Sequence, residues 1–110
     1  MGKRTTTEPD LALVPATGSL TSTTAGASVS DLGPGSFNLS LWGTFSATVA
    51  LERSFDGGTT FLPLSVDAYG TAIALTAPCS LVVDEPEAGV LYRVRASAYT
   101  SGTVSWRLSK

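Results

Sequence analysis

Residues Ser54-Phe55-Asp56-Gly57-Gly58-Thr59-Thr60-Phe61 spell S-x-D-x-G-x-T-aromatic, the pattern of an Asp-box closing a β-hairpin. The chemistry is that of a turn. An Asp carboxylate accepts backbone N–H groups a few residues ahead and so organises the loop. Gly57 and Gly58 allow backbone angles that other residues resist. Ser54 adds a side-chain bond, and Phe61 packs beneath the turn. Ser54, Asp56, Gly58 and Phe61 are therefore expected to hold a fold together rather than a ligand. Asp56 alone offers too few oxygens for calcium, and one box cannot build a propeller.

The flanking residues alternate with the period of strands. Phe37, Leu39 and Leu41 alternate with Asn38, Ser40 and Trp42, and Ala47, Val49 and Leu51 share the next face. Further short strands are expected at 11–14, 18–24, 61–64, 71–75 and 80–84. In LYRVRASAY, Tyr92, Val94, Ala96 and Ala98 fall on one side. Leu91, Arg93, Arg95, Ser97 and Tyr99 fall on the other. Val104, Trp106 and Leu108 are again in phase. Thr100-Ser101-Gly102 reads as a tight turn joining these last two strands into a hairpin, with Arg95 close to opposite Arg107. Seven or eight short strands with frequent turns and no helical period predict an all-β fold. The expected architecture is one small antiparallel β-sandwich or jelly roll over residues 18–110, with an extended N-terminal arm at 1–17.

The chain has 110 residues, enough for one core. Its net charge of −2 argues against a general basic field for nucleic acid. No apolar run approaches the ~20 residues that span a bilayer. No apolar signal segment follows Lys3 and Arg4, so synthesis in a cytoplasm is expected. With no histidine and one cysteine, neither a Ser-His-Asp nor a Cys-His arrangement is available, and no zinc site of the usual kind. Cys79 has no disulfide partner within the chain and reads as a small packing residue. Asp84, Glu85 and Glu87 flank Pro86 and read as a solvated turn. No enzyme activity and no cofactor are expected.

Candidate contact residues are few. Arg93, Arg95 and Arg107 would cluster on the outer side of the final hairpin. Like charges facing each other destabilise a sheet, so the cluster is expected to meet carboxylates, from Glu52 or the 84–87 turn or from a partner. Trp106 is in phase with the core. Trp42 is out of phase with Phe37, Leu39 and Leu41, which makes it a candidate interface or stacking residue. Tyr99 is a second candidate platform. Lys3 and Arg4 are the charged positions of the arm.

Three segments carry a family resemblance: Leu51–Gly58, Glu85–Arg93 and Ser101–Ser109. Over Trp42–Lys110 the chain resembles small virion proteins of tailed bacteriophages. The resemblance implies a structural part of a phage particle, made in the bacterial cytoplasm and located in the virion. The first expectation is a capsid decoration, or cement, protein on the outside of the head. Its partner would be the major capsid protein or another virion protein, and it would act as a homotrimer or other small homo-oligomer. The alternatives are a carbohydrate- or receptor-binding module of a tail or fibre, or a low-copy connector or tail accessory protein.

Overall fold

A computed structural model describes residues 15–110. The strand expected at 11–14, most of the arm, and Lys3 and Arg4 lie outside the described residues.

Among the described residues seven strands run in chain order: β1 (Ala16–Leu20), β2 (Gly35–Trp42), β3 (Phe45–Ser54), β4 (Leu62–Pro63), β5 (Cys79–Glu85), β6 (Leu91–Gly102) and β7 (Val104–Ser109). They form two antiparallel sheets, ordered β1-β7-β2-β5 and β4-β3-β6. The fold is all-β, compatible with a small β-sandwich. Segment 71–75 is not a full strand. Leu75 exchanges backbone bonds with Val49, and Ile73 donates to Leu64. Along the free side of β6, residues 24–29 bond to Tyr92, Val94 and Ala96. Both sides of the three-stranded sheet are thereby covered in part.

The alternation dictates the core. Phe37, Leu39, Leu41, Val49, Leu51, Tyr92, Val94, Ala96, Val104, Trp106 and Leu108 are all buried, and they pack into one cluster shared by both sheets. Phe37 of one sheet meets Tyr92 of the other edge-on, with ring centroids 4.7 Å apart, a favoured aromatic geometry.

The expected final hairpin does not form. Thr100, Ser101 and Gly102 belong to β6, which continues through Gly102 and pairs with β3. The chain then crosses to the other sheet, where β7 pairs with β1 and β2. A second crossing, Gly43-Thr44 between β2 and β3, lies beside the first, and Thr103 donates its N–H to the Thr44 carbonyl at 3.0 Å. Gly102 has φ +90°, and a β-carbon there would run into the Thr44 carbonyl. Glycine at 102 thus serves a change of sheet rather than a hairpin turn.

Two irregularities in the β3–β6 ladder move side chains across the sheet. Thr48 pairs with Ala98 while Val49 pairs with Ala96, so Ser97 is an extra residue. A bulge of this kind reverses the alternation beyond it. Ala98, expected inside, is exposed. Tyr99, expected to share the face of Arg93 and Arg95, instead pairs with Ala47 and is half-buried.

Candidate interaction surfaces

The Asp-box hairpin joins β3 to β4, with Arg53 paired to Leu62 and Glu52 to Pro63. Asp56 Oδ1 accepts from the Thr60 amide at 2.8 Å and from the Ser54 hydroxyl at 2.8 Å. Ser54 Oγ in turn accepts from the Gly58 amide at 2.9 Å. These donors, the Thr60 amide foremost, pull the Asp56 carboxyl down to about 2. Gly57 and Gly58 have φ of +72° and +97°. The residues expected to build the turn do so. A second Asp turn follows that sequence reading missed. Asp67 accepts from the amides of Thr71 at 3.2 Å and Tyr69 at 2.9 Å. Hydrogen bonding from Thr71, with the Tyr69 amide, holds its carboxyl below the usual range. The signal was present in Ser65-Val66-Asp67-Ala68-Tyr69-Gly70-Thr71, an Asp followed by Gly and Thr.

The three arginines do not cluster. Because β6 and β7 lie in different sheets, Arg95 stands opposite Ala50 whereas Arg107 stands between Thr17 and Ser40. Arg93 is engaged within the chain. Its Nε donates to Glu52 Oε1 at 2.7 Å, and its guanidinium lies 3.8 Å from the Phe61 ring centroid. Glu52 and Arg93 are directly paired across β3 and β6, which is how an opposite-charge pair supports a sheet. Phe61 lies beside Gly58 of the turn and carries the Arg93 cation on its ring face.

Glu85 is also not a solvated turn residue. Its side chain is 0% exposed. It ends β5 in phase with Leu81 and Val83, and it receives Arg53 from the opposite sheet. Glu85 Oε1 accepts from Arg53 Nε at 2.9 Å, from Arg53 Nη2 and from the Tyr92 hydroxyl at 2.7 Å. Oε2 accepts from the Glu87 amide at 3.0 Å. Burial alone would raise this carboxyl. The bonds from Tyr92, Glu87 and Arg53 outweigh burial and hold it below its ordinary value. Burial and the bond to Glu85 push the Tyr92 hydroxyl well above its own. The arrangement is a polar clamp between the sheets, closing one end of the core.

The outer side of the β1-β7-β2-β5 sheet is uncovered among the described residues. Its alternating positions are Thr17 and Ser19 of β1, Ser105 and Arg107 of β7, Ser36, Asn38, Ser40 and Trp42 of β2, and Ser80, Val82 and Asp84 of β5. Ser40 and Ser80 share a bond at 2.9 Å, and Ser36 reaches Asp84 at 3.5 Å. Trp42 is 46% exposed at the end of β2. Hydroxyl and amide groups thus make up most of this side, with Val82 and Trp42 as its exposed apolar residues and one cation and one anion among these positions.

Two shallow depressions lie elsewhere on the described surface. One, of about 350 Å³, is lined by Arg53, Phe55, Leu62, Pro63, Leu64 and Ser65. The other, of about 300 Å³, lies at the bulged end of β3 and β6, where Tyr99 donates to the Gly102 carbonyl at 2.7 Å. Its lining includes Ser46, Thr48, Thr76 and Thr100 and carries no charged side chain. Cys79 is half-buried on β5, and burial pushes its thiol up. No family model matches the chain, and neither curated proteins nor solved structures yield a match to it.

Proposed function

We propose that this chain is a non-enzymatic structural protein of a tailed-phage virion, a capsid decoration protein that binds the outside of the head and reinforces contacts between capsomers. The observation that carries the reading is the uncovered, largely hydroxyl-lined outer side of the β1-β7-β2-β5 sheet. Small hydroxyl side chains there are short, neutral and quickly desolvated, so a broad protein surface can approach the backbone closely. Trp42 at the margin supplies a large amphipathic contact. Arg107, with no ion pair among the described residues, is placed to meet a carboxylate of the shell. In this reading the β-sandwich sits over a seam, and repetition around the shell multiplies a modest contact. The N-terminal arm would tie the domain to its neighbours.

The test is copy number in purified particles relative to the major capsid protein, by quantitative mass spectrometry, followed by capsid binding of Trp42→Ala and Arg107→Glu. Abundance matching the shell lattice, with binding weakened by both variants, supports decoration. A few copies per particle overturn it in favour of a connector or tail accessory role. A second reading, a carbohydrate-binding module, is favoured by the neutral, hydroxyl-lined depression beside Tyr99. Glycan-array binding lost on Tyr99→Ala would carry it.

A further inference from the structure

Strand β5 pairs with β2 along its whole length, from Gly35–Glu85 to Leu41–Cys79. No described strand or loop bonds its other side. An open row of backbone N–H and C=O groups is a template for another strand, and proteins usually blunt it with lysine, proline, a bulge or a cover. None of these interrupts β5, and its two charges, Asp84 and the inward-pointing Glu85, are confined to its last two residues. Pro78 and Pro86 stand outside it and delimit an uninterrupted seven-residue edge. At its centre Val82 is 73% exposed, a β-branched side chain with Asn38 beside it on the closed side and no partner on the open side.

We propose that two copies of this chain pair antiparallel through β5 about a two-fold axis at Val82, joining two four-stranded sheets into one of eight strands. The sequence of β5 is complementary to itself in that register. Val82 meets the partner's Val82. Leu81 meets the partner's Val83, extending the apolar inner side across the junction. Ser80 meets the partner's Asp84 and Cys79 the partner's Glu85, so each Asp84 carboxylate faces a hydroxyl and no like charges oppose one another. The same chemistry already operates on the closed side of the strand, where Ser36 is paired with Asp84 and Ser40 with Ser80. The other open edge of the sheet, β1, has only five residues and presents Thr17 and Ser19, not an apolar side chain, on the side that carries Val82. This isologous pairing does not depend on the function proposed above.

The test is sedimentation equilibrium of the full chain from roughly 10 µM to roughly 1 mM, on the native sequence and on Val82→Lys. A dimer is expected, with dissociation raised about tenfold by Val82→Lys, because two ammonium groups then face each other across the axis. A chain that stays monomeric throughout overturns the proposal, as does a trimer or a dimer that Val82→Lys leaves unchanged. A second measurement uses single-cysteine chains, Cys79→Ser with either Val82→Cys or Thr17→Cys, and a short bifunctional thiol cross-linker. Selective cross-linking at position 82 supports the two-fold axis there. Equal or greater cross-linking at position 17 on β1 overturns it.

Discussion

Replacing Glu85 with alanine is the most direct way to ask what joins the two sheets at their end. The substitution removes an acceptor serving Arg53, Tyr92 and the Glu87 amide. Breaking a fully buried ion pair by deleting one partner costs about 3–5 kcal/mol. Arg53 retains 27% exposure, however, so water reaches part of the stranded guanidinium. Its rings also remain, with Phe55 at 4.8 Å and Tyr92 at 5.9 Å from the guanidinium carbon. The Tyr92 hydroxyl keeps the bond it accepts from Arg53 Nε at 3.0 Å, but its O–H loses its acceptor, and an unsatisfied buried donor costs about 1–3 kcal/mol. Together these place Glu85→Ala at about 3 kcal/mol, a large part of a stability of about 5–15 kcal/mol. Glu85→Gln should cost about 2 kcal/mol. Its oxygen can still serve Arg53 and Tyr92, but its amide then points a donor at the Glu87 N–H. The assay is urea unfolding followed by tryptophan fluorescence, with the slope checked for constancy. Arg53→Met combined with Glu85→Leu should recover most of the loss, because an apolar pair of similar volume replaces both charges. A Glu85→Ala loss below about 1 kcal/mol, or no recovery in the double variant, would refute the clamp.

Four further outcomes follow from the geometry. Gly18→Ala should destabilise by about 1–3 kcal/mol, because the new β-carbon would lie 2.6 Å from the Trp106 ring; urea unfolding reads the loss. Acid unfolding should track the three depressed carboxyls, those of Asp56, Asp67 and Glu85. Each contributes stability that is complete above its unfolded pKa and is lost as pH falls through its folded one, for Asp56 between about 3.8 and about 2. Circular dichroism of Asp56→Asn and Glu85→Gln against pH should therefore show flatter profiles than the native chain. Glu52→Ala should cost less than about 1 kcal/mol, since Arg93 keeps its stacking on Phe61; thermal unfolding checks it. In partner-binding titrations, Arg95→Glu and Arg107→Glu should give effects that add without coupling, because the two residues lie on different sheets.

What the sequence reveals and what it conceals divide along one physical line. Alternation reports which side of its own strand a residue occupies. That is why Phe37, Leu39 and Leu41, Val49 and Leu51, and Val104, Trp106 and Leu108 read as core and are core. The same rule, carried one step beyond the apolar residues, would have found the clamp. Glu85 continues the phase of Leu81 and Val83, and Arg53 continues that of Val49 and Leu51. A charged residue that keeps the inward phase at a strand end needs an opposite charge, and these two meet across the gap between the sheets. Alternation does not report which strand lies alongside. A hairpin and a change of sheet put the same in-and-out pattern on both flanks of Gly102. The choice between them is made by the Thr44 carbonyl, which lies far away in sequence beside the crossing glycine. Surface constellations inherit that ambiguity in full. Arg93, Arg95 and Arg107 make one patch if β6 and β7 pair. They make an internal ion pair and two separate cations once each strand has its actual neighbours. Binding-site reasoning in all-β chains is therefore secure for residues held by their own turn, as with Ser54, Asp56, Gly58 and Phe61. It becomes secure for cross-strand clusters only when strand order is known.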